Sequence, residues 1–538
     1  MIKNFPSEFK PKKSQIELIN EIGSAFTRKK FVIVSAPTGT GKSFLSATLS
    51  NSSDNPSGEF KRLVNSYEAY AQNENGGYDR EDDLFEEPPF GGFVLTITKA
   101  LQDQYLSLFK DCKVFKGKSN YMCNVDQHSD VEIAPCMMLS KMKEDCWKKN
   151  FCSYYNARNE ALTSKFTALN YKIFFTVPDH LKRKNYIICD EASELENEIV
   201  KQFTLSIDFD KISKYDVPIS RLTTDDFYKA IKWVENSELE ISDYLEELKK
   251  SLNARKDLIS EREKAQYLFV RNLSNSISNI LKYKNDASWI IDRQKNVVNF
   301  IPLKVDTLSK NIFSHGDKIL LMSATIVDHV KFAKSLGIDD YEYIEADSSF
   351  EASKSPIYIS TKHKLNHSNL NEKIPLIAEQ IKEICKLHKD VKGIIHTHTM
   401  NIAEQLKKYL GQDSRFLYRD SLSSNDVLLA EHSESKDPTV IVSPSLTYGV
   451  DLKGDLGRFC IVVKLPYLPF SDKRINRIFK EDNVWYTNAM LNNLVQMCGR
   501  CTRDESDFSD TYILDGNIEQ VIMRNNKKLP KYFLERFK

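Results

Sequence analysis

The sequence predicts an α/β protein with two parallel-sheet domains, and three observations carry that prediction. Strand-length apolar runs alternate with helical text in both halves. The first run, Phe31–Ser35, leads into a Gly-rich turn and a helix. In the first half the alternation is interrupted twice, by a Cys-rich segment and by a charged, helical one. The 538 residues leave room for several domains at roughly 150 residues each. Hydrophobic residues at 41% and charged residues at 28% place the chain among globular proteins. With 76 basic against 75 acidic residues, a uniformly basic nucleic-acid coat and a polyacidic chaperone are excluded. A locally basic groove is not.

Taken in order, Met1–Lys13 has no apolar core and is not a secretory signal. No stretch approaches the roughly 18 apolar residues of a membrane span. The C-terminal residues Glu535–Lys538 match no lipidation signal. These readings predict a soluble, cytoplasmic, monomeric protein, with the nucleoid or a viral replication site as alternatives and no membrane partner. Residues 51–92 read as a mobile acidic insertion, holding Asn73-Glu74-Asn75-Gly76-Gly77 and Arg80-Glu81-Asp82-Asp83. The alternation resumes with a strand at Phe93–Thr98 and a helix at Leu101–Phe109. Strands are expected at Tyr171–Val177 and Asn185–Cys189. Helical spacing of apolar residues follows at Phe227–Val234, Glu238–Leu252 and Lys256–Lys282, then a short hairpin at Trp289–Ile291 and Asn296–Ile301. Ile319–Met322 returns as a buried strand. The second half predicts strands at Ile357–Ser360, Gly393–His396, Val440–Ser443, Phe459–Val463 and Tyr512–Leu514. Its expected helices are Ile374–Leu387, Ile402–Tyr409 and Val484–Met497.

Ala36-Pro37-Thr38-Gly39-Thr40-Gly41-Lys42-Ser43 lies between the first strand and its helix, the context a P-loop needs. Gly39 and Gly41 let backbone N–H groups around Thr40 curl about an anion, and the helix N-terminus adds its dipole. Lys42 would reach the β/γ-phosphates of ATP and Ser43 would hold Mg²⁺. Ile187-Ile188-Cys189-Asp190-Glu191 is an apolar strand ending in two carboxylates. Asp190 would contact Mg²⁺ through water, and Glu191 would orient and deprotonate the attacking water. A lone Asp-Glu pair is usually a solvated turn; behind a P-loop it completes a metal site.

Of the 10 cysteines, Cys112, Cys123, Cys136, Cys146 and Cys152 crowd into one segment. In a cytosolic chain such a cluster reads as metal or cluster ligation before it reads as disulfides. Four thiolates suit iron in sulfide and equally a tetrahedral Zn²⁺, and spacing does not separate the two. Cys112 reads as a bystander thiol. Lysines and aromatic residues fill the same segment, cations for phosphates and rings for bases, although part of the set must pack around the ligands.

These residues resemble a superfamily 2 helicase. Leu321-Met322-Ser323-Ala324-Thr325 resembles its S-A-T motif, and Gln496-Met497-Cys498-Gly499-Arg500-Cys501-Thr502-Arg503 its Q-x-x-G-R-x-x-R motif. The resemblance implies that Arg500 and Arg503, with Gln496, face the γ-phosphate, where guanidinium stabilises the transition-state charge. Gln15 stands where the family reads adenine, with Lys12 in place of the usual Arg. Thr96-Ile97-Thr98-Lys99 and Gln104 resemble the motif that touches the DNA backbone. Gly393–Thr399, including Thr397, and Gly449-Val450-Asp451 resemble second-domain motifs, Gly449 and Asp451 lying at the nucleotide.

Lys116-Gly117-Lys118-Ser119-Asn120-Tyr121-Met122-Cys123 and Cys152-Ser153-Tyr154-Tyr155-Asn156-Ala157-Arg158 are similar to the runs that bracket the Fe–S cysteines of XPD/DinG-like helicases. That resemblance implies a [4Fe–4S] cluster on Cys123, Cys136, Cys146 and Cys152, with Lys116, Lys118, Tyr155 and Arg158 as DNA contacts. It implies two RecA-like parallel-sheet motor domains, with a Cys-rich Fe–S insertion and a mostly helical Arch-like insertion in the first. The first motor would comprise residues 1–104, 166–193 and 316–350, the Fe–S domain 105–165, the Arch 194–315 and the second motor 351–538. The implied activity is ATP-dependent DNA unwinding by movement along single-stranded DNA, 5′ to 3′, with single-stranded or forked DNA and repair or replication proteins as partners. The chain departs from the family at Ser193, where a His is usual, and at Tyr448, where Glu is common. Ser can hydrogen-bond but carries no charge, which puts coupling rather than hydrolysis in question. The competing readings are a translocase or remodeller with weak unwinding, action on RNA or RNA–DNA hybrids, and a catalytically dead nucleic-acid scaffold.

Overall fold

The computed structural model describes all residues except 38, 66–88, 139–151, 256–258, 287, 349–350, 367, 412, 419–424, 445–451, 453 and 502–506. The chain forms two compact units, one of residues 1–33, 43–321 and 332–342, the other of residues 34–42, 322–331 and 343–538.

In chain order the strands of the first half are β1 Phe31–Ser35, β2 Gly92–Thr96, β3 Lys113–Val114, β4 Phe166–Asn170, β5 Lys184–Asp190, β6 Leu205–Asp208, β7 Trp289–Arg293, β8 Val297–Pro302, β9 Gly316–Ser323 and β10 Tyr341–Glu345. Seven form one sheet in the order β10-β1-β9-β5-β2-β4-β3. The pairs β2–β4, β2–β5 and β3–β4 are parallel. All of β2 and nearly all of β1 are buried, which is why their text is continuously apolar rather than alternating.

The remaining strands make a small antiparallel sheet, β6-β8-β7. It packs with the helices Phe227–Arg255 and Glu261–Tyr283. Ser260 starts the second helix by a reciprocal cap, its Oγ accepting from Glu263 N at 3.3 Å while Glu263 Oε2 accepts from Ser260 N at 2.9 Å. Val270, Leu273, Ile277 and Ile280 then recur at helical spacing and bury against Ile207, Val298 and Phe300. This is the segment whose charged helices and hairpin the sequence predicts.

The second unit holds β11 Ile357–Ile359, β12 Gly393–His396, β13 Phe416–Tyr418, β14 Val440–Ser443, β15 Phe459–Val462 and β16 Asp510–Ile513. They form one sheet, β11-β16-β15-β12-β14-β13, with every pair parallel. Successive residues point to opposite faces. Ile394, Ile441 and Cys460 join Met490 and Leu494 on one face. Ile395, Val442 and Ile461 join Ile377, Ile381 and Leu406 on the other.

Three expectations need correction. Tyr171–Val177 is not a strand; β4 lies just before it, and Tyr171–Thr176 is helical. Asn170 Oδ1 accepts from Ile173 N at 2.8 Å and caps that helix, overriding the β-propensity of its aromatic text. Insertion 51–92 is not irregular throughout, since Gly58–Asn65 is a helix with Phe60 and Val64 buried and Phe60 set edge-on to Phe90 at 5.1 Å. Residues 66–88 lie outside the described residues. The short strands β3, β10 and β13 were absent from the sequence expectation, each offering too few residues for a period to show. Among the described residues no helix is long and apolar enough to cross a membrane.

Candidate active site

The P-loop turn is shaped by its glycines. Gly39 and Gly41 hold φ of +85° and +87°, a region closed to most side chains, and the helix Lys42–Asn51 begins directly after them. Thr40 Oγ1 donates to Pro37 O at 2.8 Å and Lys42 Nζ donates to Ala36 O at 3.1 Å, so the lysine lies across the turn it would share with a phosphate. Thr38 lies outside the described residues.

Asp190 ends β5 and is buried. Its Oδ1 accepts from Glu191 N at 3.0 Å. Glu191 itself sits in the left-handed region at φ +51°, a conformation costing a non-glycine residue about 1–3 kcal/mol and concentrated at functional sites. The strand thus terminates in a carboxylate held by its own backbone, followed by one turned sharply out of the strand.

A residue the sequence did not single out joins these parts. Tyr105, buried in the helix Lys99–Leu108, donates its hydroxyl to Asp190 Oδ2 at 2.9 Å and meets Ser46 Oγ at 3.1 Å. Burial, with the Asp190 charge beside it, holds the phenol well above its ordinary pKa, so it remains a donor to Asp190. One of the two expected Mg²⁺ ligands, Asp190, is therefore tied by this phenol to Ser46, in the helix that Ser43 helps to open. A tyrosine inside an amphipathic helix reads from sequence as core, and no spacing signal would have found it.

Gln15 is buried in the helix Lys13–Arg28, its Oε1 accepting from Lys12 N at 2.9 Å to cap the helix start. In the second unit the helix Asn483–Cys498 carries Gln496 in its last turn, and Arg500 lies two residues beyond its end; both are buried. His396, at the end of β12, is fully buried and pushed down to about 3 by burial and by the Arg500 charge, so it is neutral across physiological pH. Arg503, Gly449, Asp451 and Tyr448 lie outside the described residues.

The backbone-contact candidates share a local geometry. Thr98 Oγ1 accepts from Leu101 N at 3.3 Å and caps one helix, while Thr96 Oγ1 donates to Thr98 O at 3.2 Å. In the second unit Thr399 Oγ1 accepts from Ile402 N at 3.2 Å and Thr397 Oγ1 donates to Thr399 O at 3.2 Å. The same T-x-T turn thus opens a helix after β2 and after β12. Thr397 is buried; its partner Thr399, which the sequence did not single out, supplies the cap. Gln104 is exposed.

In the cysteine segment, Cys123, Cys136 and Cys152 are buried and unbridged, and Cys146 lies outside the described residues. Cys123 Sγ accepts from Asp126 N at 3.4 Å, and burial raises the Cys152 thiol above its ordinary pKa. Among the described residues no three His, Cys, Asp or Glu side chains gather as metal ligands. Cys112 is buried, and burial pushes its thiol up to about 12, in keeping with a bystander. Lys116 pairs with Asp103 at 2.5 Å, and Lys118 Nζ stands 5.8 Å over the Tyr154 ring beside Cys152. Tyr155 and Arg158 are buried, Tyr155 packing edge-on against Tyr154 at 5.1 Å. Those two side chains sit in the packing of the segment rather than on its surface.

Comparison with known proteins follows this geometry. Residues 381–536 match the family model of the helicase C-terminal domain. Sequence comparison with curated proteins returns no match. Among solved structures, an XPD helicase is 17% identical with a TM-score of 0.60, over 96% of this chain and 98% of its own. XPD in its apo form is 16% identical with a TM-score of 0.57, over 95% and 98%. Xpd4 of S. tokodaii is 15% identical with a TM-score of 0.57, over 98% and 99%. In fold the chain is therefore similar to the XPD helicases, and its residues 381–536 match the helicase C-terminal domain.

Proposed function

We propose that the chain hydrolyses ATP·Mg²⁺ and uses it to move along single-stranded DNA and open duplexes, in the 5′ to 3′ direction. The observation that carries this is the coexistence, on an XPD-like fold, of the P-loop turn with a buried Asp190 that Tyr105 ties to Ser46 of the following helix. The residues present fit Mg²⁺ and a nucleotide: a hydroxyl, Ser43, opens the helix after the turn, a carboxylate, Asp190, is held by a buried phenol, and two positive-φ glycines leave the turn open to an anion. Bound Mg²⁺ supplies charge neutralisation at the β/γ-phosphates. Lys42 holds the phosphates, Asp190 orients the metal's water, and Glu191 takes the proton of the attacking water. Arg500, Gln496 and Arg503 complete the site in this reading, Arg500 stabilising the transferring phosphoryl group. Gly449 and Asp451 lie at the same nucleotide, and Gln15 reads adenine.

The nucleic-acid side rests on the paired T-x-T turns. Each presents a helix N-terminus, whose free N–H groups and dipole suit a backbone phosphate. Thr98, Thr397 and Gln104 act there, with Lys116 and Lys118 beside the cysteine segment. For Cys123, Cys136, Cys146 and Cys152 we propose a [4Fe–4S] cluster. The donor set fits in kind, since three are buried, unbridged thiols in one short segment and a backbone N–H points at one sulfur. When bound, the cluster would lock that segment into a rigid wedge beside the first motor; Zn²⁺ on the same thiolates is the alternative. Residues 194–315 act as the Arch.

An ATPase assay tests the motor. Turnover should rise at least about tenfold when single-stranded DNA is added, as expected of a site whose arrangement is completed by its nucleic acid. A rate that ignores DNA but rises with RNA would move the substrate assignment to RNA. No turnover with either would leave a binding scaffold.

A further inference from the structure

Within the second unit, the loop after β9 carries Ser323-Ala324-Thr325 and is held from two sides. On one side Ala36 N, at the start of the P-loop, donates to Ser323 O at 2.9 Å. On the other, the hydroxyl of the half-buried Tyr532 lies 3.2 Å from both Ala324 O, to which it donates, and Thr325 Oγ1. Val327 N donates to Asn492 Oδ1 at 3.1 Å. Asp328 accepts from Asn488 Nδ2 at 3.3 Å and pairs with Lys528 at 3.6 Å. Lys331 pairs at 2.6 Å with Asp482, the N-cap of the helix Asn483–Cys498.

Asn488, Asn492 and Gln496 recur every fourth residue of that helix and so share one face. Arg500 lies just beyond its end. Arg536, four residues after Tyr532, donates to Cys498 O at 2.8 Å, the helix's last residue. Loop, helix and C-terminal segment are thus one hydrogen-bonded block, touching the P-loop at one end and running to Gln496 and Arg500 at the other. Amide side chains beside buried Met490, Leu491, Leu494 and Val495 are unfavourable unless they are hydrogen-bonded; Asn492 and Asn488 each bond this loop, and Asn488 also accepts from Lys528 Nζ at 3.2 Å.

We propose that Tyr532 and Asn492 are positioning residues that couple the Ser323-Ala324-Thr325 loop to the Gln496–Arg500 end of the helix, linking strand occupancy to nucleotide turnover. This rests on the helicase reading above and adds to it the route of coupling. It also suits a chain with Ser193 in place of a histidine, because the route needs no charged group at that position.

The test uses the full chain with Tyr532→Phe, which removes only the hydroxyl, and separately with Asn492→Ala. Each variant should bind fluorescent ADP and hydrolyse ATP without DNA within about twofold of the unmodified chain. Each should lose about fivefold or more of its stimulation by single-stranded oligonucleotide, the lower edge of ordinary coupling between sites. The double variant should lose little more than the worse single one, because both residues act in one relay. A merely structural role would lower basal and stimulated rates together. If Tyr532→Phe fails to fold, Asn492→Ala carries the test. Unchanged stimulation in the folded variants overturns the relay alone. An unmodified chain without ATPase activity overturns the helicase reading and the relay with it.

Discussion

Replacing Lys42 with Ala is expected to lower ATP turnover at least about a hundredfold, and Glu191→Gln to do the same by a different route. Lys42 brings an ammonium to the P-loop turn, and it already bridges that turn through Ala36 O. Its loss removes charge where negative charge must be held, so nucleotide affinity should fall with the rate. Gln at position 191 keeps the size and polarity of the side chain but cannot take a proton. That variant should bind ATP as well as the unmodified chain and trap it unhydrolysed. Fluorescent-nucleotide titration beside phosphate release separates the two effects. Normal turnover in either variant would remove the P-loop or the Asp190-Glu191 pair from the chemistry.

The second large effect concerns the cysteine segment. Cys123→Ser should abolish the broad visible absorbance of anaerobically purified protein and lower its iron content, because an alcohol is a poor ligand for iron in sulfide. Strand separation should fall more than ATP hydrolysis. Cys123 belongs to the segment before helix Ser153–Thr163, whereas Asp190 and Ser46 are organised around Tyr105. Zinc content with no visible absorbance in the unmodified chain would assign the thiolates to Zn²⁺ instead. Loss of ATPase and unwinding in equal measure would mean that the segment supports the first motor as a whole.

How legible these features were depended on their length and repetition. The P-loop, the Asp190-Glu191 strand end and the Gln496–Arg500 helix end could be read because each couples a regular element to a polar group at a fixed offset. The two parallel sheets could be read because strands buried on both faces leave continuous apolar runs, as in Val32–Val34 and Ile441–Val442. The helix at Tyr171–Thr176 could not, since its cap, Asn170, also suits a turn and its text is aromatic. The helix Gly58–Asn65 was hidden because its two buried residues sit in polar surroundings. Tyr105 and Tyr532 were invisible for a different reason. Each does its work through one hydroxyl whose partners are distant in sequence, Asp190 for the first and Ala324 for the second. Only the folded chain brings those atoms together.

The central claim, that this ATPase drives directional opening of DNA, is tested most directly by strand displacement on duplexes carrying a single-stranded tail at one end or the other. The account predicts ATP-dependent displacement from the 5′-tailed DNA duplex, at least about tenfold faster than from the 3′-tailed one, and none with Glu191→Gln. Displacement from the 3′-tailed duplex alone would contradict the direction. DNA-stimulated ATP hydrolysis with no displacement from either would contradict the helicase and leave a translocase.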